Sequence, residues 1–263
     1  MPASSLNPTK RFSNRVENYL RYRPRYPDQV ISILRERIGL ESPHAVVDVG
    51  SGTGFLAELF LKNGNSVTGV EPNREMREAG DDYLGGYPAF RSICGTAEHT
   101  GLDTASADMV VAGQAFHWFD AEAARREFLR ILRPPGRTAL VWNHRKIDET
   151  PFLAAYEALL RRYAVDYETV VHRTISADEN LLAGFFAPDG FQLDVIRDHE
   201  QVFDFDGLKG RLLSSSYAPA PGEPNHDAML SELARTFNEY QQGGVVRFLY
   251  DTMIYHGCLK PAR

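Results

Sequence analysis

Apolar residues along the chain follow two alternating periodicities. Short β-branched runs end at glycine or a polar residue: HAVVDV (44–49), SVTGVE (66–71), AFRSIC (89–94), ADMVVA (107–112) and RTALVWN (137–143). Between them apolar positions recur at helical spacing, in TGFLAELFLKNG (53–64), in residues 73–83 and in AEAARREFLRIL (121–132). The short runs predict buried strands, and the i, i+3, i+4 spacing predicts amphipathic helices. Asn73 and Asp120 stand where an N-cap belongs, because a short side-chain oxygen there accepts from the free amides of the first turn. The helix after Asp120 should stop before Pro134-Pro135-Gly136. Strand and helix in alternation predict parallel βαβ units with right-handed crossovers.

The rhythm changes after residue 144. Residues 150–165, 178–186, 208–216 and 225–241 read as helices, and FQLDVIRDHEQVFDF (191–205) and VVRFLYDTMIYHGCL (245–259) as long strands. Two late strands joined by helices predict an antiparallel pair at the edge of a parallel sheet. Residues 1–40, 144–186 and 206–243 then form helical cover over one end of that sheet.

Composition narrows the function classes. With 263 residues, 43% of them hydrophobic and 24% charged, the chain reads as one soluble globular domain over 1–263. A net charge of -6 without a basic stripe argues against a nucleic-acid partner. The group RKI at 145–147 and the pair Arg161-Arg162 read as solvated helix charges. Cys94 and Cys258 fall in apolar runs, which predicts reduced, buried thiols in a cytoplasmic protein. MPASSLNPTKRF lacks the apolar stretch of a signal peptide, and no apolar run approaches the roughly 18 residues that span a bilayer. His144, His172, His199, His226 and His256 show no ligand spacing, so no metal is expected.

The sharpest motif is Asp48-Val-Gly50-Ser-Gly52-Thr-Gly54, between the first strand and the first helix. Such a loop lies at the carboxyl end of a strand, where open α/β sheets bind ligands, and its glycines let a ligand press on bare backbone. A dinucleotide fingerprint needs G-x-G-x-x-G; here the third glycine comes one residue early and Phe55 occupies the fingerprint position. Asp48 would repel a pyrophosphate and attract an ammonium or sulfonium. Glu71, at the end of the second strand, is placed to accept ribose hydroxyls. The loop therefore favours a nucleoside that carries positive charge and no phosphates, over the nicotinamide dinucleotide of an oxidoreductase.

These residues, with Gly95-Thr-Ala97-Glu98 after the third strand, resemble class I S-adenosylmethionine-dependent methyltransferases. RYRPRYP (21–27), GQAFHWFD (113–120) and LLSSSYAPAPGEP (212–224) are similar to a small-molecule branch that includes trans-aconitate methyltransferase-like enzymes, which esterify carboxylates. The resemblance implies a Rossmann-like seven-stranded α/β sheet, mostly parallel, with an antiparallel C-terminal edge pair and helical insertions. Residues 1–40 would be an N-terminal helical lid, 41–145 the cofactor-binding core, and 146–263 the acceptor-side insertions with the last two strands. It also implies S-adenosylmethionine as cofactor and S-adenosylhomocysteine as product. Asp48 and the backbone at Gly50 would hold the methionine end, with close approach at Gly52 and Gly54. Glu71 would bind the ribose beside Pro72, Ala97 and Glu98 would line the adenine, and Gly113 and Gln114 would flank the methionine amino group and the sulfur. Where family members often carry an acid, this chain has Thr96.

The expected reaction is methyl transfer to an oxygen, on a carboxylate, of a small molecule. His117 follows the fourth strand and has three open roles: general base, orienting donor for a carboxylate, or a packed residue that shapes the pocket. A carboxylate is already ionised near neutral pH and needs no base. Trp118 and Phe119 read as pocket wall or core. Tyr19, Tyr22, Arg23 and Tyr26 form a candidate lid, since guanidinium matches carboxylate and aromatic faces attract a sulfonium. Tyr217, with Ser214 to Ser216, and the Tyr250-Asp-Thr252 segment are further pocket candidates. The rival readings are a nucleic-acid or protein methyltransferase and a non-catalytic cofactor-binding protein. GQAF stands where amino-methylating nucleic-acid enzymes resemble one another in an Asn/Asp-Pro-Pro-aromatic motif. Oligomeric state is not encoded legibly.

Overall fold

A computed structural model describes residues 16–168 and 179–261. The readings of MPASSLNPTKRF, of His172, of the outer part of the 1–40 lid and of position 178 concern residues outside these stretches. Among the described residues two short helices come first, α1 (Val16–Tyr22) and α2 (Gln29–Ile38). The alternating core follows: β1 (Ala45–Val49), α3 (Phe55–Lys62), β2 (Ser66–Val70), α4 (Arg74–Leu84), β3 (Phe90–Ile93), β4 (Ala107–Gly113), α5 (Ala121–Ile131) and β5 (Leu132–Arg145). The remainder is α6 (Pro151–Tyr163), α7 (Glu179–Phe185), β6 (Gln192–Phe203), α8 (Phe205–Leu213), α9 (His226–Tyr240) and β7 (Val246–Cys258).

The seven strands form one sheet in the order β3-β2-β1-β4-β5-β7-β6. The first five are parallel, and β7 runs against both β5 and β6. The expected antiparallel pair is therefore present, with the final strand inserted one place in from the edge. Strand order reverses between β1 and β4, and at such a switch point a crevice opens beyond the carboxyl ends of the strands. Both predicted caps form: the side chains of Asn73 and Asp120 accept from the amides of Met76 and Ala123.

Three boundaries differ from the sequence expectation. The helix after Asp120 ends at Ile131, and β5 already begins at Leu132, which pairs with Ala107. The ladder slips across Pro134-Pro135, which have no amide to donate, and resumes at Arg137 opposite Met109. Helix α8 starts three residues early because Asp204 caps it, accepting from the Gly207 amide. The cysteines are not buried. Cys94 is exposed, just past the end of edge strand β3, and Cys258 is half-buried at the last residue of β7.

Two apolar clusters cover the faces of the sheet, one with Leu34, Phe60 and Val111 and the other with Phe116, Phe128 and Leu140. A third cluster, with Tyr156, Leu160, Leu208, Leu212, Leu233 and Phe248, ties α6, α8 and α9 to β6 and β7. Among the described residues no helix is long and apolar enough to cross a membrane.

Gly54 opens α3 at φ +85, and a Cβ there would sit 2.5 Å from Leu84 Cδ1. Gly54→Ala should lower stability by about 2–4 kcal/mol, the sum of left-handed strain and overpacking. A fall in the urea midpoint with an unchanged m-value checks this.

Candidate functional site

A cleft opens at the carboxyl ends of β1 and β4. The glycine loop supplies Asp48 and Gly50 to Thr53, with Phe55 and Leu56 behind, and the segment at the end of β4 supplies Gly113, Gln114, His117 and Trp118. The end of β5 adds Trp142 to Arg145. Tyr19 of α1, with Arg23 and Tyr26 of the strap that joins α1 to α2, adds a further wall. Arg211, Tyr217 and Tyr250 close the far side.

On the loop side, the Gly50 and Ser51 amides donate to the Val70 carbonyl at 2.8 and 3.2 Å, tying the loop to β2. Glu71 accepts from the Gly52 amide at 2.9 Å and the Asn73 amide at 2.8 Å. Burial raises the Glu71 carboxyl, and those two amides oppose the rise. Asp48 is 1% exposed, and neither carboxylate oxygen has a hydrogen-bond partner. Burial pushes its carboxyl up to about 7. The nearby Ala57 amide tempers the rise without closing a bond of normal geometry, and Glu71 adds to it. A buried polar group left unmatched needs a reason. A cation that brings N–H donors would satisfy Asp48.

Gln114 adopts φ +55, a strained value for a side-chain residue. Its amide is held against β5, where the Asn143 N–H donates to Oε1 at 3.2 Å. A Cβ on Gly113 would lie 2.5 Å from the Tyr26 hydroxyl, so glycine lets the strap close directly on β4.

Not every expected residue reaches the cleft. Gly54, Glu71, Pro72, Ala97 and Glu98 do not line it. Ala97 is buried in the core cluster that holds Val70 and Phe116, and Glu98 accepts from the Asp120 amide at 2.9 Å. Tyr22 also lies outside it. Its ring rests on Gly210 of α8 and meets Phe203 edge-on at 6.4 Å, so it packs rather than lining the pocket. The rings after β4 divide their work. Phe116 and Phe119 enter the core, whereas His117 and Trp118, 4.8 Å apart, line the cleft.

The far side joins the expected Arg23 and Tyr217 to two residues that sequence reasoning missed, Arg211 and Arg145. Arg211 is buried on α8; it donates to the Tyr250 hydroxyl at 3.4 Å and to Ser215 Oγ at 3.2 Å. Arg23 donates to the Ser214 carbonyl at 3.1 Å, and its buried Nε has no partner. Anchored on adjacent residues, the two guanidiniums share one corner. Burial lowers Arg23, and Arg211 lowers it further. Arg145, read from sequence as a solvated helix charge, instead ends β5 largely buried, where Glu157 neutralises it and the Tyr167 hydroxyl lies at 2.9 Å. Among the described residues, no carboxylate lies within ion-pair distance of Arg23 or Arg211. Burial would raise the Tyr217 hydroxyl, but Arg211, Arg23 and Arg145 together lower it. A signal for Arg211 was available: Leu208, Arg211 and Leu212 share one helical stripe, and a charge on an apolar stripe is informative. Among the described residues no cluster suits a metal ion.

Residues 47–140 match the methyltransferase domain family. An uncharacterized methyltransferase of Mycobacterium tuberculosis is 37% identical over 145 residues, 55% of this chain and 57% of that relative. The match thus spans little more than half the length of that relative. A methyltransferase-like protein of Schizosaccharomyces pombe is 26% identical over 260 residues, covering 97% of both chains. The structure of a candidate type II methyltransferase from Anaeromyxobacter dehalogenans superposes with a TM-score of 0.65 at 22% identity, over 92% of this chain and all of that one. Residues 47–140 thus match a methyltransferase domain, set in a fold shared with that structure along most of the chain.

Proposed function

We propose that the protein methylates a carboxylate oxygen of a small molecule, with S-adenosylmethionine as donor. The carrying observation is the charge pattern of the cleft: a buried, unpartnered carboxylate at Asp48 on one side, and two buried guanidiniums without a carboxylate, Arg23 and Arg211, on the other. The cofactor supplies an electrophilic methyl group on a sulfonium. Asp48 and the loop backbone at Gly50 and Gly52 would hold its cationic amino-acid end, and Gly113 and Gln114 would flank that end. Glu71 would accept from the ribose, since each of its oxygens keeps a lone pair beyond the amide it already serves. Pro72, Ala97 and Glu98 remain the candidates for the adenine side.

Arg23 and Arg211 would hold the acceptor carboxylate, with Tyr217 as a third donor. His117 and Trp118 form the opposite wall, and His117 would orient the carboxylate rather than deprotonate it. Tyr19 and Tyr26 would exclude water. Catalysis would then come chiefly from alignment and desolvation. The acidic balance of the chain supports a small-molecule acceptor over nucleic acid.

Incubation with S-adenosylmethionine and a panel of carboxylic acids tests this proposal. Methyl esters formed with equimolar S-adenosylhomocysteine support it; methylation confined to amines or alcohols overturns it. Separately, Glu71→Ala should weaken S-adenosylhomocysteine binding by about 1–3 kcal/mol, since the ribose hydroxyls and two loop amides lose their acceptor. Calorimetry reads this directly, and unchanged affinity removes Glu71 from the site.

A further inference from the structure

The strap and the end of α1, residues 19–27, together form a wall common to both halves of the cleft. Arg23 reaches toward Arg211, Tyr26 lies on Gly113, and Tyr19 faces the space between. Its outer fastenings are to neighbouring helices and the sheet edge. Gln201 of β6 donates to the Tyr22 carbonyl at 3.1 Å, and the Arg25 guanidinium lies 3.8 Å over the Phe55 ring. On its inner side Arg23 donates to the Ser214 carbonyl at 3.1 Å, and the Arg25 backbone is met by His199 and by Asn143, whose Nδ2 donates to the Arg25 carbonyl at 3.1 Å.

Asn143 is buried near the end of β5 and makes two further contacts. Its Oδ1 accepts from the Thr252 hydroxyl at 2.7 Å, across the β5–β7 ladder in which the two residues are paired. Its peptide exchanges hydrogen bonds with the Gln114 side chain, N–H to Oε1 at 3.2 Å and Nε2 to C=O at 3.4 Å. One residue thus touches the strap, β7 and the segment after β4. The requirement is chemical. Only a carboxamide of this length can accept from Thr252 on one atom while donating to a carbonyl with the other. Aspartate keeps the acceptor and loses the donor; leucine loses both. Thr252 is fully buried and does not line the cleft, so its hydroxyl serves to fix the orientation of the Asn143 amide.

We propose that Asn143 is a positioning residue that holds the strap shut, and through it sets how firmly Arg23 and Tyr26 face the cleft. Asn143 also lines the cleft, so strap exchange read without ligand is the measurement that reports this role. The consequence for cofactor retention rests on the function proposed above; the closure itself does not.

The test uses the full chain, as Asn143→Ala and as Thr252→Val, with hydrogen exchange read in the absence of any ligand. In Asn143→Ala, amides of residues 19–27 should exchange about tenfold faster, the loss of roughly one hydrogen bond. Strands β4, β5 and β7 should keep native protection. Thr252→Val should shift the same amides in the same direction by a smaller factor, because it removes only the orienting bond. S-adenosylhomocysteine, titrated by calorimetry, should bind about five- to tenfold more weakly to Asn143→Ala, for the same loss. Native exchange of the strap in Asn143→Ala overturns the proposal. So does acceleration spread equally through β5 and β7, which would make Asn143 an ordinary packing residue. If the unmutated protein fails to bind S-adenosylhomocysteine, the cofactor reading falls, and strap exchange still decides the role of Asn143.

Discussion

S-adenosylhomocysteine should bind the native protein about tenfold more weakly at pH 6 than at pH 8, and Asp48→Asn should abolish that dependence. The cause is the buried Asp48 carboxyl, which burial holds near 7. An ammonium bound beside it needs the ionised form, so below that value each bound ligand must first displace a proton. The free protein bears the opposite dependence. The folded carboxyl titrates above its unfolded value, so the folded state holds the proton more tightly. The stability this proton contributes is complete below about pH 4 and is lost as pH rises toward 7. Raising the carboxyl from its ordinary value to about 7 corresponds to about 4 kcal/mol. Stability and ligand affinity should therefore change in opposite directions with pH. Urea melts at about pH 5 and 8, paired with calorimetry in buffers of different ionisation enthalpy, read both. Native affinity that stays flat between these pH values removes Asp48 from the ligand's contacts.

Replacing Arg211 by methionine should lower kcat/KM for the acceptor by about 10- to 150-fold, the loss of a charged hydrogen bond worth about 1.5–3 kcal/mol. S-adenosylhomocysteine affinity should hardly move, because Arg211 lies on the side of the cleft away from Asp48. Methionine suits the apolar surroundings of Leu208, Leu212 and Phe248, so folding should survive. Arg211→Lys should recover little, since an ammonium cannot present two parallel donors to one carboxylate. The Tyr217 hydroxyl provides an independent readout. Arg211 is its strongest attractor, so its ionisation should move upward in the variant and be visible in an ultraviolet pH titration. Unchanged acceptor kinetics with a shifted Tyr217 would assign Arg211 to electrostatics of the corner alone.

The half of the molecule that carries the glycine loop was legible because it is local. Strands β1 to β4, the glycine loop, Glu71 and both N-caps lie within residues 45–120, and each follows from spacing or from one turn's chemistry. Asp48 could be recognised as an odd acid before a glycine loop, though its lack of any partner could not. The far half was opaque because its residues meet from distant segments. Asn143 and Arg211 meet Thr252 and Tyr250 because β7 is inserted between β5 and β6. Tyr22 misled for the same reason: it shares a tyrosine-arginine motif with Tyr26, but the helix geometry of α1 turns it toward Gly210. Arg145 misled because a charge at a strand end reads as solvent-facing until Glu157 of α6 covers it.

The placement of β7 also bears on how the protein is made. Arg145 pairs with Tyr250 and Arg137 with Cys258, so β5 awaits its neighbour while about a hundred further residues leave the ribosome. Throughout that interval the nascent chain carries an open, apolar strand edge, a template for wrong pairing. Neither the Asn143–Thr252 contact nor the seating of Arg211 against Tyr250 can form until that gap is filled. The β1–β4 half can thus mature early, while the corner of the cleft that holds Arg211 and Tyr250 is assembled last, when the closing strand docks.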